Sequence, residues 1–133
     1  MDLVVLDTDV ASLAFKQKLP PNLLRHLVGR TPCLTFVTLA ELTKWSTQRS
    51  WGSRRKEQLA RWLHGMAVLP GTEDVARVWG EISAFAARRG RPRPQNDTWI
   101  AACCLVYEVP LATLNLQDFA DFVEHEGLAI ING

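Results

Sequence analysis

The sequence predicts an α/β fold, a three-layer α/β/α sandwich around a central, mainly parallel sheet. Short apolar runs of strand length alternate with longer segments in which apolar residues recur every three or four positions. Strands that alternate with helices are joined by right-handed crossovers, which produce a parallel sheet covered on both faces. The 133 residues are 47% hydrophobic and 22% charged, as in ordinary globular proteins. We therefore expect a single domain over residues 1–133.

In the first part of the chain the apolar pattern changes several times between strand and helix. We predict strands at 3–6, 33–37 and 67–69, and helices at 10–17, 21–28, 39–48 and from about 54 to 66. The last of these helices carries Leu59, Trp62, Leu63 and Met66 at the i, i+3, i+4, i+7 spacing of a helix that packs on a core.

The second part of the chain begins with a long amphipathic helix from about residue 75, which Gly90 is expected to end. Two prolines in the segment 91–94 then interrupt the helical pattern, because proline lacks an N–H donor and restricts the residue before it. We therefore place Asp97 at the start of the next helix, which runs to about residue 108. A strand at 111–113, a helix at 117–125 and a strand at 128–131 complete the chain.

Composition excludes several classes of protein. Fifteen basic and 14 acidic side chains give a net charge of +1, so nucleic acid would not be attracted by bulk charge. The start of the chain lacks the basic and long apolar regions of a signal peptide, and no apolar run reaches the roughly 20 residues of a membrane span. A cytoplasmic protein without a membrane segment is expected.

The cysteines and histidines do not form a recognisable metal or disulfide pattern. Three cysteines are an odd number, two of them are adjacent, and they are best explained as small buried side chains. The three histidines are scattered singly. Any bound metal should therefore have oxygen ligands.

Acidic and amide side chains follow the predicted strands or begin the predicted helices. Asp7 and Asp9 follow the first strand, and Glu41, Asp97 and the segment 115–118 occupy similar places later. Because the carboxyl ends of parallel strands meet at one edge of the sheet, these side chains can converge there. Clustered carboxylates repel one another unless a cation neutralises them, and an all-oxygen set favours Mg²⁺ or Mn²⁺.

Each acid also has a simpler explanation as a helix cap. Glu41 lies three residues after Thr38, the spacing of a capping box, and the segment 115–118 has the same spacing. Asp97 fits an N-cap or a first-turn acid, and Asp9 fits a cap of the first helix. Only the conjunction of all these positions favours a shared metal site.

Four motifs, in this order, resemble those of the PIN domain, and most closely the VapC-type ribonuclease toxins of bacterial toxin–antitoxin pairs. The resemblance covers essentially the whole chain. The motifs are Leu6-Asp7-Thr8-Asp9, Thr38-Leu39-Ala40-Glu41-Leu42, Asn96-Asp97-Thr98-Trp99-Ile100-Ala101-Ala102 and Ala112-Thr113-Leu114-Asn115-Leu116-Gln117-Asp118-Phe119.

The resemblance implies roles for individual residues. Asp7, Glu41 and Asp97 would be the catalytic, metal-binding acids, and two hydroxyl residues, Thr8 and Thr113, would lie beside them.

Asn115 would complete the catalytic set at a position where many relatives carry aspartate. An asparagine brings an oxygen but no charge. Asp118 then either compensates as a further metal ligand or is only a first-turn acid of the last helix.

The resemblance also implies an activity and partners. The protein would hydrolyse phosphodiester bonds of single-stranded RNA with Mg²⁺ or Mn²⁺, leave 5′-phosphates, form a homodimer and be neutralised as a toxin by a VapB-type antitoxin. One alternative is a haloacid-dehalogenase-like phosphotransferase with Asp7 as nucleophile, although no lysine follows Lys56. The other alternative is a catalytically inert PIN-like binding module whose acidic pocket receives an arginine of a partner.

Two basic clusters are candidates for RNA backbone contacts. The alternatives are a solvated helix face for the first cluster and complementation of a helix C-terminus for the second. The candidate residues are Arg54, Arg55 and Lys56 in the first cluster and Arg88, Arg89, Arg91 and Arg93 in the second.

Overall fold

A computed structural model describes residues 2–133, which form a five-stranded sheet with helices on both faces. All four strand pairings are parallel, in the order β3-β2-β1-β4-β5. The predicted α/β class is confirmed. The elements are β1 (Leu3–Leu6), α1 (Thr8–Phe15), α2 (Pro21–Leu27), β2 (Thr31–Thr35), α3 (Phe36–Gln48), α4 (Ser53–His64), β3 (Ala67–Leu69), α5 (Glu73–Arg88), α6 (Gln95–Tyr107), β4 (Leu111–Ala112), α7 (Leu116–Glu126) and β5 (Ile130–Ile131).

The sheet separates two apolar cores, as the three-layer prediction requires. Successive strand residues point to opposite faces, so Val5 joins one core while Val4 and Leu6 join the other. The Val5 core also contains buried residues of α5, α6 and α7, such as Phe122. The Val4 core contains buried residues of α1, α2 and α3, such as Leu23.

The position of β1 determines where a site can form. β1 lies in the centre of the sheet, with β2 on one side and β4 on the other, so the direction of winding reverses there. In open parallel sheets such a reversal leaves a crevice beyond the carboxyl ends of the strands. Asp7 follows β1 directly, and its backbone N–H donates to the carbonyl of Ala112 at the end of β4 (3.1 Å). The first acid of the chain is thereby fixed at the crevice.

Several helices start a few residues earlier than predicted. α1 begins at Thr8 rather than near residue 10, and α5 begins at Glu73 rather than near residue 75. β2 ends at Thr35, which becomes the N-cap of α3, so Phe36 and Val37 belong to the helix rather than to the strand. α6 begins at Gln95, two residues earlier than predicted, which moves Asp97 from the helix start into the first turn.

The three cysteines, Cys33, Cys103 and Cys104, are free and buried, as the sequence predicts. Burial raises the pKa of the Cys103 thiol to about 12, so this thiol is not ionised at neutral pH. Across residues 2–133, no helix has the length and apolar character needed to cross a membrane.

Candidate metal centre

A cleft of about 110 Å³ lies at the carboxyl edge of the sheet. It brings together the four predicted catalytic residues, and it also contains Asp118 and the predicted site-lining Thr8. Five carboxylates and no lysine, arginine or histidine line it. The lining residues are Asp7, Thr8, Asp9, Glu41, Trp45, Asp97, Ile100, Asn115, Asp118 and Phe119.

Asp7 is buried and held by the first turn of α1. Its Oδ1 accepts a hydrogen bond from the Val10 backbone N–H at 2.8 Å, so Asp7 itself is the N-cap of this helix. Burial raises the pKa of Asp7 to about 6, although the Val10 amide and the Thr113 side chain both favour its charged form. The prediction that Asp9 caps α1 is therefore wrong.

Glu41 is held by side chains on both of its oxygens. The Thr8 hydroxyl donates to Oε1 at 2.7 Å and lies 3.0 Å from the Thr38 hydroxyl, while Asn96 Nδ2 donates to Oε2 at 3.4 Å. The capping-box alternative for Glu41 is thus wrong, because the Thr38 amide bonds to the hydroxyl of Thr35. Glu41 is positioned towards the cleft.

Asp97 lies half-buried in the first turn of α6. The N-cap alternative is wrong, since Pro94 occupies that position. Burial, and after it the nearby carboxylates, first of all Asp118 and Glu41, raise the pKa of Asp97 to about 6. The charged form of Asp97 is therefore disfavoured in the folded protein.

Asn115 and Asp9 form a pair across the mouth of the cleft. Asn115 Nδ2 donates to Asp9 Oδ2 at 2.9 Å, and the Asn115 backbone N–H donates to the Thr113 hydroxyl at 3.0 Å. Asn115 is the N-cap residue of α7, as its capping alternative expects, but its side chain makes no capping hydrogen bond. Asp9 is a cleft residue that the sequence analysis assigned to a cap. The Asp-x-Asp spacing was the available signal for it.

The residues of the cleft fit a divalent cation. Carboxylate and amide oxygens are the ligands that Mg²⁺ and Mn²⁺ prefer. Burial, and after it neighbouring carboxylates, raise the pKa values of Asp7 and Asp97, and a bound cation would favour the charged forms. Among residues 2–133, the only three candidate ligand atoms that lie within 4.8 Å of one another belong to Asp121, Glu124 and His125. The cleft carboxylates are spaced more widely, as mutual repulsion favours.

The second basic cluster includes a buried ion-pair network. Arg93 has a side chain only 5% exposed, and it binds Asp121 at 2.8 Å and Glu126 at 2.6 Å. Arg89 joins the same network through Asp121 at 3.3 Å. Arg93 therefore has a structural role and is not accessible to RNA. The remaining candidates are exposed and lie outside the cleft lining: Arg54, Arg55, Lys56, Arg88 and Arg91.

Comparison with known proteins agrees with this architecture, although no protein-family model matches the chain. Ribonuclease VapC5 of Mycobacterium tuberculosis is 35% identical over 88 residues, which span 65% of this chain and 64% of that relative, slightly under two-thirds of its length. The structure of VapBC-5, a member of the VapBC family of toxin–antitoxin systems from the same organism, matches with a TM-score of 0.74 and 29% identity over the whole of both chains. VapBC2 of Rickettsia felis, bound to a DNA fragment from its promoter, shares the fold with a TM-score of 0.82 at 20% identity, covering 98% of both chains. This chain is thus similar in sequence to a VapC ribonuclease and similar in fold to proteins of VapBC toxin–antitoxin complexes.

Proposed function

We propose that this protein is a metal-dependent ribonuclease that hydrolyses phosphodiester bonds of single-stranded RNA. The observation that carries the proposal is the cleft, in which acids from four separate segments converge and no lysine, arginine or histidine is among the lining residues. The relative from Mycobacterium tuberculosis is named a ribonuclease, which supports the same activity here. The expected products carry 5′-phosphates.

Asp7, Asp97 and Glu41 would hold the metal, and Mg²⁺ or Mn²⁺ suits their oxygen atoms. When bound, such an ion activates water and stabilises the charge that develops on the phosphoryl oxygens. Asn115 offers a neutral amide oxygen, and its side-chain amide donates a hydrogen bond to the carboxylate of Asp9. Asp9 thus supplies charge where the asparagine does not.

The protein's own contribution is to hold its acids in fixed positions. Hydrogen bonds to both oxygens of Glu41 limit its rotation, and the capping bond does the same for Asp7. Such preorganisation lowers the reaction barrier because no side-chain ordering is needed when substrate binds. Asp7 and Asp97 release their protons near pH 6, so the cleft is fully anionic only above that pH.

We also propose that the protein acts as a growth-inhibiting toxin in the cytoplasm, as a homodimer neutralised by a cognate VapB-type antitoxin. The structural neighbours are VapBC complexes, which supports an antitoxin partner. Exposed apolar side chains at Leu114, Leu116 and Val123, in and beside α7, support a contact between copies. A single sheet with two cores supports one PIN-like domain over residues 1–133.

The activity is tested with Asp97→Asn and an exposed control acid on α5, Asp74→Asn. Asp97→Asn should lose Mg²⁺-dependent cleavage of single-stranded RNA, while Asp74→Asn should cleave like the wild type. Full cleavage by Asp97→Asn would contradict the assignment.

The two alternative functions give different results in the same preparation. A phosphotransferase would release phosphate from monoesters through a phospho-aspartate at Asp7, but no lysine lines the cleft to support that chemistry. An inert binding module would show no Mn²⁺ binding by calorimetry and no cleavage.

A further inference from the structure

A second, larger pocket lies between the end of α1 and the start of α4, and its charge is opposite to that of the cleft. It has a volume of about 520 Å³, within the range of sites that hold small organic groups. Three basic side chains and no acid line it. Its lining residues, called here the basic pocket, are Phe15, Lys16, Gln17, Lys18, Arg55, Gln58 and Trp62.

The charges of the basic pocket are not neutralised within the protein. Among residues 2–133, no carboxylate oxygen lies within 4.0 Å of the charged groups of Lys16, Lys18 or Arg55. By contrast, three other arginines form ion pairs with acids: Arg77, Arg89 and Arg93. The chain as a whole carries a net charge of only +1. This local concentration of free positive charge is therefore suited to an anionic ligand.

Two aromatic rings, Phe15 and Trp62, line the same pocket, and Trp51 packs beside them. Phe15 meets Trp62 edge to face, with ring centroids 5.7 Å apart, and stacks against Trp51 at 6.1 Å. The Arg55 guanidinium lies 4.1 Å from the centroid of the Trp51 ring. Flat aromatic surfaces next to cations are the combination that binds single-stranded nucleic acids, through base stacking and phosphate contacts.

We propose that the basic pocket binds a nucleotide of the RNA substrate away from the bond that is cut, with its base on the aromatic rings and its phosphates near Lys16, Lys18 and Arg55. This inference rests on the proposed ribonuclease function. α1 joins the two sites, because Thr8 lies in the cleft and Lys16 in the basic pocket. Eight residues of helix separate them by about 12 Å, a distance that a few nucleotides span.

The basic pocket therefore offsets the repulsion between RNA and the acidic cleft. It would hold the strand while a phosphate next to the cleft is positioned. An acidic protein segment is the other possible occupant. RNA fits the observations better, because the pocket combines cations with stacked rings and shares a helix with the cleft.

The test measures binding of a short labelled oligouridylate by fluorescence anisotropy in EDTA, which separates binding from cleavage. The variants are Lys16→Gln, Lys18→Gln and Arg55→Gln. The matched control is Arg30→Gln. Arg30 is an exposed cation just before β2, at the edge of the sheet opposite to the cleft, and it does not line the basic pocket. Each pocket variant should bind roughly fivefold more weakly at about 0.1 M salt, with a salt slope lower by about 0.7, because one phosphate contact is lost.

Cleavage kinetics with Mg²⁺ complete the test. The pocket variants should raise KM and leave kcat nearly unchanged, while Arg30→Gln should change neither. If the wild type binds and cleaves RNA but the three pocket variants bind it equally well, the basic pocket is not an RNA site and the proposed function still stands. If those variants instead lose only antitoxin binding, the pocket belongs to a protein segment and the inference is overturned. A wild type that neither binds nor cleaves RNA would overturn the proposed function itself.

Discussion

Replacing Asp97 by asparagine should abolish RNA cleavage and, in EDTA, increase the stability of the folded protein at neutral pH. The pKa of Asp97 is raised from 3.8 to about 6, so its charged form is disfavoured in the folded state. Each pKa unit corresponds to about 1.4 kcal/mol, which gives an upper limit of about 3 kcal/mol. Asp97 is only half-buried, and solvent screening reduces the expected gain to about 1 to 2 kcal/mol.

The raised pKa of Asp97 also determines how the free energy of unfolding of the wild type depends on pH. An acid with a raised folded-state pKa binds a proton in the folded protein at pH values where the unfolded chain has already lost it. The free energy of unfolding in EDTA should therefore increase as the pH falls from about 6 to about 4, with Asp7 contributing in the same direction. In the Asp97→Asn variant this increase should be smaller.

Urea unfolding in EDTA at pH 7.5 and pH 5 measures both effects. Glu124→Gln, which removes an exposed carboxylate of α7, is the control and should change stability by less than about 0.5 kcal/mol. Added Mg²⁺ should stabilise the wild type more than Asp97→Asn, because only the wild type keeps the full ligand set. An Asp97→Asn variant that is less stable than the wild type at pH 7.5 in EDTA would refute the argument.

Three further substitutions test other features. Thr8→Val removes the hydroxyl that orients the cleft glutamate and should lower the cleavage rate roughly 10- to 100-fold, whereas Thr43→Val, on the exposed side of α3, should leave it unchanged in the same assay. Arg93→Ala leaves two carboxylates without their buried partner and should lower the free energy of unfolding by about 3 kcal/mol, whereas Arg91→Ala should have little effect in urea titrations. Glu108 has a left-handed backbone (φ 55°), which glycine adopts without strain. Glu108→Gly should therefore raise the free energy of unfolding by about 1 kcal/mol, seen as a higher urea midpoint. An unchanged midpoint would show that the backbone is not strained there.

The sequence predicted the sheet well because strands such as β1 carry a local signal, an apolar run ended by acids. The start of α3 was misplaced because the local apolar pattern is ambiguous there. Phe36 and Val37 extend the apolar pattern of β2, but the Thr35 side chain caps a helix there. An apolar pair at such a boundary fits either element.

The sequence predicted which acids the structure brings together in the cleft, but it predicted their local contacts less well. Asp7 and Asp9 both fit the start of α1, and only the bond to the Val10 amide shows that Asp7 is the cap. Arg93 lies in a polar, proline-containing segment typical of an exposed loop. Its burial depends on Asp121 and Glu126, about 30 residues away, and no local pattern reveals such a contact.

The central place of β1 has a consequence for synthesis of the protein. β1 precedes β4 in the sequence, and β4 is one of its two neighbours in the sheet. One edge of β1 therefore stays unpaired until residue 112 has been made. Asp97, Asn115 and Asp118 are also made late. A chain still emerging from the ribosome therefore has neither a complete sheet nor a complete set of cleft acids, so the proposed cleavage of RNA becomes available only late in translation.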